Sequence, residues 1–321
     1  MRFWEVQEKN VRKSIILIAI FSLLMVSFGF LIDAIFNSLP MGMSIFSIIA
    51  LIQILVGLSK GPEMVLKMVE ARPANPENFK EKQLMNIVEE MTIASGLGQV
   101  PEVYVMEDEA INAFATGYKP EKSAICVTTG LLKHLNREET EGVIAHEISH
   151  ILHKDTLVMT LTSAILGAIM VIQILSWKIG LSTLRYSYPR KRKNGGLQLA
   201  LLLLFIALIA TLFAFLGRIV LFAVSRSREY LADATSAQLT RNPFALASAL
   251  KKIYKMNKNK MKKANIANAH LFISDPLKRK INEKEENFFT NLFSTHPPIH
   301  KRIALLENKP PEVVLKELKN L

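Results

Sequence analysis

The stretch EGVIAHEISHILHKD, residues 141–155, contains two histidines four positions apart, His146 and His150, with Glu147 directly after the first. On an α-helix, positions i and i+4 lie on one face, so both imidazoles can present a nitrogen to one metal ion. Glu147 is rotated from His146 by about 100°, which lets it reach a water on the metal rather than the metal itself. This H-E-x-x-H spacing is typical of zinc hydrolases.

The expected chemistry follows from these three side chains. Zinc lowers the pKa of a bound water to about 7, and Glu147 can take the proton as the water attacks a carbonyl and pass it to the leaving amine. The alternative is a surface helix with two histidines and no metal. Apolar neighbours such as Val143, Ile144 and Ile148 predict a buried helix instead, and buried polar groups need partners.

A catalytic zinc needs a third protein ligand and an open position. His153 follows His150 by three residues, so it would point to a neighbouring face of the helix. Glu229 is the better candidate because Asp233 lies four positions later on the same face and can accept a hydrogen bond from a ligand histidine. The alternative for Glu229 is an ion pair with Arg226 or Arg228. Manganese or cobalt could replace zinc at such a site.

Four apolar blocks divide the chain: Ser14–Ile32, Met41–Ser59, Thr156–Trp177 and Leu197–Gly217. Because a bilayer core needs about 20 apolar residues per helix, we predict four transmembrane helices rather than buried core helices. Hydrophobic residues make up 50% of the 321 positions, which excludes a disordered chain. The net charge of +12 suits nucleic acid or anionic lipid, and the apolar blocks favour an anionic bilayer and no nucleic acid. The single cysteine excludes an internal disulfide and a Cys-rich metal site.

Basic residues near the span ends predict the orientation. The N-terminal tail is basic and the turn at residues 37–42 is not, which places the N-terminus and the polar body on the cytoplasmic side. The loop at residues 178–193 is basic and has no acid, so it contradicts a full crossing by the second hairpin. Either the first pair of spans sets the orientation of the whole chain, or the second hairpin is shallow or packed against protein. We favour a full crossing. Two crossings separate His150 from Glu229, so both are predicted on one side, with both ligand helices running directly into the bilayer.

The polar body is predicted to be a small α+β zincin-like domain, so the fold class is a mainly α membrane protein that carries such a domain. Helices are expected at residues 77–95, stopping at Gly96, and at 136–155, and strands at 102–106, 111–117 and 123–128. The lysine-rich stretch 251–263 is either a solvated helix face or a patch for anionic headgroups. The predicted N-terminal transmembrane hairpin is residues 1–59, and the second transmembrane hairpin is residues 156–224. The first half of the catalytic domain is residues 60–155, and the second half is residues 225–321.

Three segments together, HEISH, SRSREYLADATSAQLT and STHPPIHKRI, resemble the HtpX family of membrane zinc metalloproteases. These are gluzincins related to the CAAX prenyl endopeptidases. The resemblance covers nearly the whole chain and implies one zinc ion bound by His146, His150 and Glu229, with Glu147 as base. It also implies proteolytic quality control of membrane proteins, linked to stress.

Two further segments resemble the family pattern. Asn112, Ala113 and Phe114 resemble the start of the edge strand that pairs with extended substrate, although an ordinary amphipathic strand has the same pattern. His296 resembles the histidine that stabilises the oxyanion in related proteases, although His-Pro-Pro is also a common structural turn. Asp155 and Arg302 are candidates for contacting the metal ligands from outside.

The predicted function is therefore a zinc endopeptidase of the cytoplasmic (inner) membrane, multi-pass, with its site on the cytoplasmic face. Its substrates would be cytoplasmic segments of misfolded or damaged membrane proteins, and its oligomeric state cannot be read from the sequence. One alternative is a non-catalytic, zinc-stabilised membrane adaptor or chaperone, whose signature would be a replaced Glu147. A zinc or proton transporter would need ionisable residues inside the spans, and only Asp33 lies near one. No prenyl-binding cavity is visible with four spans, which argues against prenyl endopeptidase activity.

Overall fold

The computed structural model describes residues 37–117, 119–187, 195–256, 261, 271–274, 276 and 296–320, with scattered positions between 12 and 34. Parts of the first apolar block, the basic positions 190–193 and the lysines at 258, 260, 262 and 263 lie outside the described residues. The fold is mostly helical with one small sheet, as expected. The described helices are α1 (Met41–Met68), α2 (Phe79–Ser95), α3 (Thr129–His134), α4 (Arg137–Leu152), α5 (Asp155–Ser187), α6 (Gly195–Thr240), α7 (Pro243–Met256), α8 (Ile299–Glu307) and α9 (Pro311–Lys319).

The sheet contains β1 (Arg72–Pro73), β2 (Glu102–Met106), β3 (Ala113–Gly117) and β4 (Ser123–Thr128) in the order β1-β2-β4-β3. β2 and β4 are parallel, whereas β3 pairs antiparallel with β4. The predictions for β2 and β4 are confirmed to the residue, but β3 begins two residues later than predicted. The N–H of Asn112 bonds to the side-chain oxygen of Thr128, so the ladder starts only at Ala113.

The histidine-bearing helix α4 is confirmed, with its start set by a capping box. The Asn136 side chain accepts from the Glu139 N–H, and the Glu139 carboxylate accepts from the Asn136 N–H. The helix ends at Leu152, and Lys154 has a left-handed backbone with φ 59° before α5 begins at Asp155. The expectation that this ligand helix runs directly into the third apolar block is therefore wrong, because the chain turns between them.

The second apolar pair forms an antiparallel helical hairpin of α5 and α6. Gln173 donates to Thr211 at 2.9 Å, and further along the hairpin Gly180 lies against Leu204. Unlike α4, the helix α6 is continuous from the fourth apolar block through Glu229 to Thr240. For this second ligand helix the expected direct connection to the apolar block is confirmed.

Three apolar clusters hold the described parts together. The largest joins α2, α4, α7, α8 and α9 to the sheet. The second lies on the other side of β3 and β4 and includes Phe114 and Phe272. The third joins all four apolar blocks through Met25, Ala50, Ile169, Ala210 and Ala214.

Within the described residues, no single helix is both long and apolar enough to cross a bilayer. The two arms of α1, Met41–Gly57 and Ser59–Met68, meet the length and composition together but are bent by 78°. Pro62 lies inside α1 and lacks the N–H that would bond to the carbonyl of residue 58, which accounts for a bend there.

Two lysines in the described part of the lysine-rich stretch form ion pairs, which neither a solvated helix face nor a patch for anionic headgroups predicts. Lys251 pairs with Glu307, and Lys252 lies 2.7 Å from the buried Glu139 carboxylate. Both lysines therefore join α7 to its neighbouring helices rather than presenting free charges.

We expect Gly130→Ala to lower the free energy of unfolding. A Cβ at Gly130 would overlap the Glu109 carbonyl and lie 2.6 Å from the Ala110 oxygen, both rigid backbone atoms. Overpacking of this kind costs about 1–3 kcal/mol or more, against a gain of at most about 1 kcal/mol in helix propensity. Chemical denaturation measures the difference, with the exposed Lys133→Ala in the same helix as the control. An unchanged midpoint would show that the 109–110 loop can move away without cost.

Candidate functional site

Two helices bring together the three side chains that were predicted to bind metal. His146 and His150 lie on α4, and Glu229 lies on α6. The two histidine Nε2 atoms are 3.3 Å apart, and the Glu229 carboxylate oxygens lie 3.8 Å from His146 Nε2 and 3.6 Å from His150 Nε2. All three residues are buried, and one ligand atom from each lies within 4.8 Å of the others.

These separations fit a small divalent ion. Tetrahedral zinc with bonds of about 2.0–2.1 Å to nitrogen and oxygen separates its ligand atoms by about 3.3–3.4 Å. The three observed separations, 3.3, 3.6 and 3.8 Å, equal or slightly exceed that value. Two imidazoles and one carboxylate are also a donor set that zinc accepts. The residues present therefore fit a metal ion, and the set leaves a fourth position open.

The charge around the cluster is also suited to a cation. Burial alone would lower the pKa of His150, but the carboxylates of Asp155 and Glu229 outweigh it and raise the pKa to about 9. Burial alone would raise the pKa of Glu229, but His296, Arg302 and His150 hold it well below its usual range. The buried Glu229 carboxylate thus stays ionised beside the two imidazoles, so the site attracts positive charge.

Each ligand histidine is oriented by a carboxylate on its other ring nitrogen. His146 Nδ1 lies 3.0 Å from Asp233, and His150 Nδ1 lies 3.1 Å from Asp155. A carboxylate in this position fixes the tautomer, leaving Nε2 free to face the metal. Arg302 is buried and donates to both Asp233 oxygens at 2.7 and 2.8 Å, which orients that carboxylate in turn.

Glu147 lies buried beside the cluster without being one of its three ligand residues. Burial is the main reason that its pKa rises to about 7, opposed by the nearby charges of His150 and Arg302 and by the Ala115 amide of β3. This carboxylate is placed between the metal cluster and the edge strand.

His296 also reaches the cluster, although 67 residues separate it along the chain from Glu229. Its Nδ1 lies 3.1 Å from the Glu229 carboxylate. His153, the alternative third ligand, is buried but does not belong to the group of three among the described residues.

The predicted substrate-binding residues lie at the start of β3, which is an edge strand of the four-stranded sheet. Asn112 and Ala113 face residues 273–274, to which they hydrogen-bond. The Phe114 side chain packs in the second apolar cluster against Phe272, with ring centroids 5.1 Å apart. Its side chain therefore does not face the open edge of the sheet.

Arg228 was missed as a site residue because the sequence suggested it as a partner of Glu229. Its guanidinium is buried and lies 3.7 Å from Asp155, on the far side of His150. The sequence signal was the Arg-Glu pair itself, which cannot say which carboxylate the arginine reaches once the helices have packed.

Asp155→Asn should weaken metal binding by about 10- to 100-fold, because it removes the charge that orients His150. Metal content after dialysis against graded chelator concentrations measures the effect. Glu141→Gln is the control, since it changes a carboxylate on the same helix that pairs with Arg137 at 2.8 Å, remote from the metal cluster. Equal metal retention by Asp155→Asn and wild type would show that packing alone orients His150.

The chain is similar to known proteins over most of its length. Residues 78–309 match Peptidase family M48. The protease HtpX homolog of Thermoanaerobacter pseudethanolicus is 41% identical over 310 residues, covering 95% of this chain and 97% of the relative. That of Caldanaerobacter subterraneus subsp. tengcongensis is 39% identical over 311 residues, with the same coverage. The crystal structure of S. mikatae Ste24p matches this chain at a TM-score of 0.49 and 17% identity. The match covers 94% of this chain and 66% of the Ste24p chain, which is just under two thirds.

Proposed function

The chain belongs to peptidase family M48 and is a metalloendopeptidase, and from this premise we propose that it is a zinc enzyme of the cytoplasmic membrane. We propose that it cleaves cytoplasmic segments of misfolded or damaged membrane proteins. The observation that carries the proposal is the buried triangle of His146, His150 and Glu229, with Glu147 beside it and a carboxylate behind each histidine.

Within this proposal, His146, His150 and Glu229 hold the zinc ion, which when bound supplies Lewis-acid polarisation of a carbonyl and acidification of water. The Glu147 carboxylate accepts the proton of the attacking water and delivers it to the leaving amine. Asp233 and Asp155 keep the histidine Nδ1 protons in place. His296 donates to the oxyanion of the tetrahedral intermediate, and Arg302 keeps Asp233 oriented toward His146.

We assign substrate binding to the backbone edge of β3 from Asn112 through Phe114. An extended chain added to a sheet edge is held by main-chain hydrogen bonds, which do not depend on its sequence. That mode suits an enzyme that meets many different unfolded segments.

The outer surface of the apolar helices supports a membrane location. Large aliphatic side chains of α1, α5 and α6 are more than half exposed, for example Leu51 at 57%, Ile174 at 58% and Leu208 at 60%. Full burial of such a side chain is worth about 1.5–3 kcal/mol, and more than half of that is forgone when the exposed part stays in water, whereas a bilayer would cover it. We therefore propose four membrane-spanning segments, with residues 1–59 and 156–224 as the two hairpins and residues 60–155 and 225–321 as the halves of the catalytic domain.

The non-catalytic adaptor that the sequence left open is not favoured, because Glu147 is present and adjoins the metal cluster. Stress-linked quality control is proposed from the HtpX relatives and from the edge-strand mode of binding.

Metal removal and replacement test the enzymatic part of the proposal. We expect chelation to abolish cleavage of fluorescein-labelled, denatured casein by the detergent-purified protein, and stoichiometric zinc to restore it. Magnesium is the control, since it prefers six oxygen ligands and should not restore activity. Cleavage that continues after the metal content has fallen to zero would overturn the zinc assignment.

Cysteine labelling tests the membrane orientation. Cys126 is buried, so the native protein offers no exposed thiol among the described residues. In intact cells, an impermeant maleimide should label Asn37→Cys, in the turn after the first apolar block. It should label Phe79→Cys, on the polar body, only after lysis. The reverse pattern would place the catalytic domain outside.

A further inference from the structure

The outer edge of β3 carries a segment of the same chain, residues 271–274 (Leu-Phe-Ile-Ser). The Ile273 N–H donates to the Ala113 carbonyl at 2.9 Å. The Asn112 side chain binds the next residue twice, donating to the Ser274 carbonyl at 3.1 Å and accepting from the Ser274 N–H at 3.3 Å. These contacts use only the backbone of the segment, so a peptide of another sequence could make the same bonds at this edge.

Arg302 binds the same segment from the side of the metal cluster. Its Nη1 donates to the Ile273 carbonyl at 2.8 Å, and the same guanidinium binds Asp233, whose carboxylate faces His146. The Arg302 Nη1 also lies 3.4 Å from the Glu229 carboxylate. The Ile273 backbone is therefore held between the edge strand and the residues that surround the metal cluster.

The two apolar side chains of the segment enter opposite sides of the sheet. Phe272 is fully buried in the second apolar cluster, where its ring meets Phe114 edge to face. Ile273 is 2% exposed and belongs to the largest cluster. Two consecutive side chains thus enter opposite sides of the sheet, as they would in an extended peptide, although the segment itself is bent and is not a strand of the sheet.

Starting from the proposed function, we propose that this edge recognises an extended peptide with two consecutive large apolar residues, and that residues 271–274 are its internal occupant. Ala113, Asn112 and Arg302 bind the main chain of any peptide at the edge, and the two apolar clusters select the side chains. An incoming substrate must displace the internal segment. Unfolded membrane segments are rich in such apolar pairs, so they compete best.

A permanent structural strand would have the same contacts, and kinetics separates the two cases. If the segment competes with substrate, only the fraction of molecules with an open edge binds, and the apparent KM rises by that factor. Loosening the segment then lowers KM and leaves kcat unchanged. If the segment is structural, loosening it disturbs the site and lowers kcat.

The matched variants are Ser274→Pro and Ser274→Ala. Proline removes the N–H that donates to Asn112 and favours an extended residue before it, whereas alanine keeps the N–H. For a quenched-fluorescence peptide containing Leu-Phe-Ile-Ser, we expect Ser274→Pro to lower KM by about threefold to tenfold at constant kcat, and Ser274→Ala to match wild type. An unchanged or higher KM in Ser274→Pro, with zinc content and thermal midpoint equal to wild type, would show that residues 271–274 do not compete with substrate.

Peptide variants test the side-chain preference in the wild-type enzyme. Peptides with Leu-Asp-Ile-Ser or Leu-Phe-Asp-Ser should have kcat/KM at least about tenfold below that of Leu-Phe-Ile-Ser, because each places a charge in an apolar pocket. Equal kcat/KM for all three peptides would overturn the apolar preference. Either failure leaves zinc-dependent cleavage intact, whereas failure of the proposed function removes cleavage of all three peptides.

Discussion

Glu147→Gln abolishes peptide cleavage while leaving the metal bound; this is the largest catalytic effect that we expect. Glutamine has nearly the same shape as glutamate but cannot accept a proton. Loss of a general base lowers the rate by about 10²- to 10⁴-fold. The metal should remain because Glu147 is not one of the three residues whose ligand atoms converge.

The measurement is single-turnover cleavage of labelled casein together with zinc content by atomic absorption. Glu138→Gln makes the same chemical change at an exposed position of α4 and should leave both quantities unchanged. If Glu147→Gln retains zinc and cleaves at the wild-type rate, another group is the base. If it loses zinc, Glu147 is a ligand and the assignment of three ligands is wrong.

Glu229→Ala should have the largest effect on metal binding. Removing an outer carboxylate weakens binding by about 10- to 100-fold, so removing a direct ligand should exceed about 100-fold. The substitution also removes the negative charge that faces His296 at 3.1 Å and Arg302 at 3.4 Å. An arginine left buried without all of its partners destabilises the fold as well.

Folding must therefore be measured beside metal content. Gln238→Ala, exposed on the same helix, is the control for changes in α6. Glu229→Gln keeps the volume and one neutral oxygen while removing the charge. Comparing it with Glu229→Ala therefore shows how much of the loss of metal binding and of stability comes from the charge alone. If Glu229→Ala folds and binds zinc as tightly as wild type, Glu229 leaves the ligand set and His153 or His296 becomes the third-ligand candidate.

The local elements could be predicted because their causes lie within a few residues. Asn136 and Glu139 cap α4 by contacts three positions apart, and Gly96 ends α2 in a left-handed conformation. The i, i+4 spacings of His146 with His150 and of Glu229 with Asp233 place each pair on one helix face through helix geometry alone.

Contacts between distant segments could not be predicted in the same way. Arg302 lies 69 residues from Asp233, which it binds, and Arg228 turns to Asp155 instead of its neighbour Glu229. Nothing in the sequence marks residues 271–274 as the segment that hydrogen-bonds to β3 at Ala113. The turn at Lys154 was missed because a helical pattern continues through it on both sides.

The sequence by itself determined the H-E-x-x-H helix, the donor types of the metal site and the apolar blocks, because helix spacing and hydropathy are local properties of the chain. Only the tertiary structure decided which carboxylate lies behind each histidine, which arginine orients it and what lies on the edge of β3. Those outcomes depend on how separately formed helices and strands pack, and packing selects among several partners that the sequence makes chemically equivalent.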